Sequence, residues 1–286
     1  LEAMKSVAPG VASQAERVKA IEQHFRHLKF QSKHEAWDNF SRRIPELGAV
    51  VEAFVEGEEP RSPSVQGIIT PSGKVEILST HDQVLDDQIF LGCRFPADEA
   101  YRLDLQDLGQ KVGEKLAQKG VLERFAIDFL AVRQPNSATG WDLRAIEANI
   151  RKGGTTHPFM VLRFLTNGHY DRSTGLFYSQ QGDPKYYIAL DNLQKEQYRG
   201  LLPSDLMDII ARHQLHFDTS TQTGSVFHLM GSLSEFGKLG VTSIGNSPQH
   251  ADELYNKVVE ALDQETAPTT FHPGDSAPKI SLAWRK

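Results

Sequence analysis

The chain has 286 residues, is 39% hydrophobic and 24% charged, and carries a formal net charge of −6, enough material for one large domain or two smaller ones. The acidic balance argues against a nucleic-acid surface, no apolar run approaches a membrane span, and no signal-peptide pattern opens the chain. Its one cysteine, Cys93, excludes an internal disulfide framework and fits a reducing cytoplasm; placed in the apolar run 89–93, it reads as a buried thiol.

In chain order, Ser13 and Glu16 have capping-box spacing, and Val18, Ile21, Phe25 and Leu28 follow at helical intervals. A second, shorter helix is predicted over 34–43, with Trp37 and Phe40 packing and Pro45 closing it. Residues 48–55 are β-branched enough for a strand that runs into the acidic turn Gly57-Glu58-Glu59. Residues 64–70 and 74–79 read as a hairpin around Pro71-Ser72-Gly73, and 88–94 as a further strand. Residues 98–119 form a long amphipathic helix, with Leu105, Leu108, Val112 and Leu116 on one face and Gly120 ending it.

Two apolar strands come next, over 121–132 and 143–149, joined by the turn-rich stretch 134–140. The first is interrupted by a single acid, Asp128, and the second carries Glu147 and Asn149, with Arg151 two residues on. Period-two alternation places Glu147, Asn149 and Arg151 on one face, and an antiparallel pairing brings Asp128 alongside. A Glu-x-Asn pair alone is most simply a solvated face. An acid inside an apolar strand is costly unless paired or metal-bound, so the combination suits a hard cation holding a polyphosphate. Gly153, Gly154 and Thr155 then lead into a helix over 156–167 with Pro158 in its first turn and Gly168 stopping it. Further elements are a strand at 186–190, a short helix opened by residues 202–205, strands at 226–230 and 241–244, and a last helix over 248–262.

Asp128 followed by Glu147-x-Asn149-x-Arg151 resembles the magnesium and phosphate site of ATP-grasp ligases. Segments 61–66, 79–83, 92–97 and 153–158 extend the likeness to ATP-grasp peptide ligases of the pheganomycin type, over about residues 37–262. The resemblance implies an α+β, ATP-grasp-like fold, a largely antiparallel sheet flanked by helices. Residues 1–200 would be the ATP-grasp domain, 201–263 a small appended C-terminal α/β module, and 264–286 a loosely ordered tail.

It further implies an ATP- and Mg²⁺-dependent carboxylate–amine ligase working through an acyl phosphate, on small-molecule or peptide acids and amines. Asp128, Glu147 and Asn149 would ligate Mg²⁺, and Arg151 would clamp the transferred phosphoryl group. Glu52, Ala53, Phe54 and Val55 would line the adenine pocket, and Glu59 would meet the ribose. Gly153, Gly154, Thr155 and His157 are candidates for holding a substrate carboxylate or the acyl phosphate, with a packing or capping role equally open to His157. Arg61, Gln66, His81 and Gln83 stand in family segments on the substrate side. The Lys-containing, Gly-rich phosphate loop that such enzymes place upstream of the hinge has no counterpart before Gly48, so the sequence reads as the C-terminal portion of the domain. The alternative is a truncated or degenerate, non-catalytic nucleotide-binding module.

Overall fold

The computed structural model describes residues 13–25, 27–30, 35–52, 55–86, 89–134 and 140–267. Helix α1 (Gln14–Phe25) opens on the capping box, with the Ser13 amide and hydroxyl both donating to Glu16 Oε2 at 2.8 Å. Helix α2 (Trp37–Leu47) runs through Pro45 rather than closing there; it ends at Gly48, whose φ of 75° no side-chain-bearing residue adopts easily. The expected strand over 48–55 is absent from its described part: 48–52 and 55–57 join no strand ladder, and Val50 and Val51 are 83% and 80% exposed. β-Branched residues favour an extended chain, but a strand needs a partner ladder.

Strand β1 (Glu58–Arg61) leads into β2 (Pro63–Ile69), which makes the expected hairpin with β3 (Val75–Asp86) through a turn where the Gly73 amide donates to the Thr70 carbonyl. Then come β4 (Ile89–Phe95), helix α3 (Arg102–Gln118), and the long hairpin of β5 (Glu123–Arg133) with β6 (Trp141–Asn149). Helix α4 (Thr156–Thr166) is followed by β7 (His169–Asp171), β8 (Leu176–Tyr178) and β9 (Pro184–Gln194). The last part comprises α5 (Pro203–Arg212), β10 (Gly224–His228), the one-turn α6 (Leu233–Phe236), β11 (Lys238–Gly245) and α7 (Pro248–Glu265). Asp205 accepts the Leu202 amide at the start of α5, and Ser247 accepts the His250 amide at the start of α7.

Among the described residues all eleven strands belong to one connected, antiparallel system with the path β6–β5–β2–β3–β4–β9–β11–β10; β1 joins β5 beyond β2, and β8 and β7 hang from β9. Helix α3 covers β2 and β3 on one face, where Leu105 and Tyr101 pack with Val65, Ile77, Ile127 and Phe129. Helix α4 covers the opposite face, where Phe159 and Leu162 pack with Cys93, Phe95, Tyr187 and Ile244. A further core joins Leu193, Leu239 and Val241 of β9 and β11 to α5 and α7. The strands of residues 201–263 therefore extend the same sheet while their helices cover a core of their own. Cys93 is fully buried, and burial pushes its thiol far above the usual range, which makes it structural.

Candidate active site

Residues paired directly across antiparallel strands share a face. Glu147 pairs with Asp128, Asp128 with Ser64, and Ser64 with His81, so one transverse row crosses four strands on the α4 face. Asn149, two residues beyond Glu147, lies on that face as well and donates from Nδ2 to Asp128 Oδ2 at 3.1 Å. The other oxygen, Oδ1, accepts from Ser64 Oγ at 2.6 Å and Gln83 Nε2 at 2.8 Å. Gln66, nearly buried, donates in turn to Ser64 Oγ at 2.9 Å. Asp128 is thus held by donors from β2, β3 and β6. Burial raises its pKa and the charge of Glu147 adds to the rise; the bonds from Ser64 and Gln83 and the charge of Arg151 act the other way.

The remaining predicted residues divide. Arg151 lies past the end of β6, exposed, with its guanidinium bonded to the Lys152 carbonyl at 3.2 Å. Gly154 packs under the Phe90 ring, where an added Cβ would fall 2.6 Å from Phe90 Cε1. The Gly153 amide donates to Thr156 Oγ1, Thr155 is buried, and His157 lies in the first turn of α4 with its ring 4.6 Å from that of His228. Burial, and then His228, depress the His157 pKa. Glu59 sits on β1 facing Arg133 at 3.4 Å and Arg61 at 3.7 Å. Glu52 and Val55 belong to unpaired chain, and Ala53 and Phe54 lie outside the described residues.

Arg61 and His81 are not brought to a substrate-facing surface. Arg61 pairs with Ala131 of the α3 core, binds Asp98 at 2.7 Å and stacks 4.7 Å over Trp141, a brace on the sheet's other face. His81 is 0% exposed, ringed by Phe95, Phe159 and Tyr187, and bonded through Nε2 to Tyr187 Oη at 2.7 Å. Burial drops its pKa to about 3, so it is a neutral core residue.

Two contributions escape a reading by spacing. Ser64 looks like a hairpin residue in sequence, and only the register shows it donating to Asp128. His228 of β10 reaches across β11 to bond Asp191 of β9 at 2.8 Å, over Gly240, where a Cβ would lie 2.2 Å from His228 Nε2. No local motif announces that pair, although an isolated glycine in a strand does signal a close approach.

Residues 7–173, more than half of the chain, match the family model described as IQCH-like, ATP-grasp. The chain belongs to the IQCH-like ATP-grasp family. Residues 205–258 match the model of the PGM1 C-terminal domain. The chain is similar to the L-propargylglycine–L-glutamate ligase of Streptantibioticus cattleyicolor, at 32% identity over 225 residues covering 79% of this chain and 45% of that protein. It therefore spans less than half the length of that curated relative. Among solved structures it is similar to N5-carboxyaminoimidazole ribonucleotide synthetase of Thermus thermophilus (11% identity, TM-score 0.49, 89% of this chain and 67% of that one). It is similar also to the phosphoribosylaminoimidazole carboxylase ATPase subunit of Aquifex aeolicus (14% identity, TM-score 0.46, 74% and 58%).

The donor set fits the hard cation that ATP-grasp chemistry implies. Asp128 and Glu147 are like charges brought face to face, and a divalent cation between them would relieve their repulsion. Asn149 now shows Asp128 its Nδ2, so offering a cation its oxygen requires the amide to turn over. Among the described residues no group of three His, Cys, Asp or Glu side chains could hold a metal, so an ion here depends on the asparagine. None of the described helices is long and apolar enough to cross a membrane.

Proposed function

We propose that this ATP-grasp chain carries the cation and phosphate side of a carboxylate–amine ligase that works through an acyl phosphate in the cytoplasm. The supporting observation is Asp128, a half-buried carboxylate oriented by Ser64, Gln83 and Asn149 and set against Glu147. Asp128, Glu147 and Asn149 would hold Mg²⁺, which when bound offsets the charge of the β- and γ-phosphates. Arg151 follows Asn149 closely enough to act electrostatically on Asp128, and its planar fork suits the phosphoryl group in transfer. Glu52 to Val55 would meet adenine through the backbone, and Glu59 would accept from the ribose hydroxyls.

The Gly153–Thr155 segment and His157 would hold the substrate carboxylate or the acyl phosphate. The reacting carboxylate oxygen attacks the γ-phosphorus as the bond to the bridging oxygen breaks and ADP leaves with its electron pair; the neutral amine nitrogen then attacks the acyl carbon, phosphate leaves with the C–O electron pair, and the nitrogen gives its extra proton to solvent. The residues of this site orient those groups and neutralise their charge, the main task when two anions must meet. The relative's name points to amino acids as the acid and amine. Residues 1–200 and 201–263 would be the catalytic domain and an appended module.

The test is ADP release from Mg²⁺-ATP with pairs of L-amino acids, for the native chain and for Asp128→Asn. Release that requires both amino acids and disappears in Asp128→Asn is expected. ATP binding with no turnover under any pair would favour a non-catalytic nucleotide-binding module.

A further inference from the structure

The two oxygens of the Asp128 carboxylate are held very differently. Oδ1 accepts from Ser64 Oγ at 2.6 Å and from Gln83 Nε2 at 2.8 Å. The bond found at Oδ2 among the described residues is the single one from Asn149 Nδ2, at 3.1 Å. Both donors at Oδ1 are themselves oriented from behind. Ser64 is fully buried, and its oxygen accepts from Gln66 Nε2 at 2.9 Å, which turns its one hydroxyl hydrogen toward Asp128. The Ile127 carbonyl, at 3.3 Å, is a poorer acceptor for that hydrogen. Gln83 accepts from Ser62 Oγ at its Oε1, at 3.4 Å, so its NH₂ is the end shown to Asp128.

These donors also differ in how easily they can move. Ser64 and Gln83 stand on β2 and β3, paired on both sides within the sheet, whereas Asn149 is the last residue of the edge strand β6. A carboxylate oxygen has two in-plane lone pairs, so Oδ1, with two strong donors, has neither left for a cation. Oδ2 becomes fully open once the Asn149 amide turns. Cations respond unequally to such a carboxylate. Mg²⁺ takes near-ideal octahedral geometry with one oxygen at each position, while Ca²⁺ takes more oxygens and readily uses both of one carboxylate. Glu147 is exposed and has no such constraint, so the discrimination rests at Asp128.

We propose that Ser64 and Gln83 are positioning residues that set cation choice: by filling Oδ1 they make Asp128 a one-oxygen ligand through Oδ2, which favours Mg²⁺ over Ca²⁺. Gln66 acts behind Ser64, and Asn149 occupies Oδ2 until a cation takes its place. The proposal rests on the reading of Asp128, Glu147 and Asn149 as the cation site. For Ca²⁺ to use both oxygens it must displace the bonds from Ser64 and Gln83; Mg²⁺ leaves both intact.

The test is Mn²⁺ titration of the native chain without nucleotide, followed by loss of the free-ion electron paramagnetic resonance signal, with Mg²⁺ and Ca²⁺ as competitors. Mg²⁺ is expected to compete better than Ca²⁺ in the native chain. Gln83→Met and Ser64→Ala should each shift the ratio of the two affinities toward Ca²⁺ by about tenfold, the equivalent of one charge-assisted bond no longer displaced. Mg²⁺ affinity itself should change by less than about threefold, since the Mg²⁺ mode leaves those bonds alone. Ser64→Ala strips Gln66 Nε2 of its partner, so Gln83→Met, at a half-buried position, keeps the test sound if the first variant fails to fold. A role confined to folding would weaken both ions alike. A native preference for Ca²⁺, or a ratio unchanged in the folded variants, overturns this proposal and leaves the cation site standing. Absence of Mn²⁺ binding to the native chain, or binding undiminished in Asp128→Asn, overturns the cation-site reading and this proposal with it.

Discussion

Replacing Asp128 by asparagine should make the apo protein more stable while removing its function. The amide oxygen can keep the bonds from Ser64 Oγ and Gln83 Nε2 at Oδ1, and the new NH₂ needs only that the Asn149 amide turn over. What disappears is a half-buried negative charge paired across the strands with Glu147. At a separation of about 5 Å and an effective dielectric nearer water than protein, that repulsion is about 1 kcal/mol, or about 2–4 °C in Tm for a chain of this size. The sign of the pH dependence follows from the raised folded pKa of Asp128. The fold prefers the neutral carboxyl, so this group's contribution is fully present below the ordinary aspartate pKa of about 3.9 and is lost as pH rises through the folded value. Thermal melts of both proteins across that range, in metal-free buffer, should converge in acid and separate at pH 7 with the variant higher. Mg²⁺-ATP should then stabilise the native chain and leave the variant unmoved. A variant less stable than the native chain at pH 7, or a gap that does not change with pH, would refute the account of Asp128 as an unneutralised acceptor.

Arg151→Lys keeps the charge and loses the planar fork, so turnover at saturating ATP should fall by roughly 10²-fold while ATP affinity, measured by titration, changes little. His81→Phe should flatten the acid limb of the stability curve. His81 stays neutral in the fold down to about 3, so the native chain loses about 2 kcal/mol on going from pH 6.5 to 5 as the unfolded state takes up the proton, and urea melts at the two pH values read the difference. Gly240→Ala should displace the His228 ring and break its bond to Asp191, costing about 1–3 kcal/mol by thermal melting; a neutral effect would show the ring can move aside freely.

Features governed by neighbouring residues are legible in the sequence. The Ser13–Glu16 cap, the 64–79 hairpin, and the pairing of Asp128 with Glu147 all follow from spacing and turn chemistry. Facing is harder, because counting by twos fails at a bulge. A register shift at Gln66/Gly67 puts Ile77 under α3 and His81 under α4, although both are odd-numbered residues of β3. The same lack of tertiary information hides the destination of Arg61, decided by Asp98 and Trp141. Residues 48–52 satisfy strand propensity yet find no ladder. Contacts such as Arg124 with Met160, or His228 with Asp191, join strands and helices far apart in the chain and leave no periodic trace.

Among the described residues β6 pairs with β5 alone, so one margin of the sheet is a row of unbonded amides and carbonyls. Its middle reads Ala145-Ile146-Glu147-Ala148, with Ile146 50% exposed, a sequence any other strand could zip onto. Glu147 interrupts it with the one charge between Arg144 and Arg151. The carboxylate suited to a cation is therefore also the residue that discourages self-association, and a neutral substitution there would leave a protein more prone to aggregate as well as less able to bind.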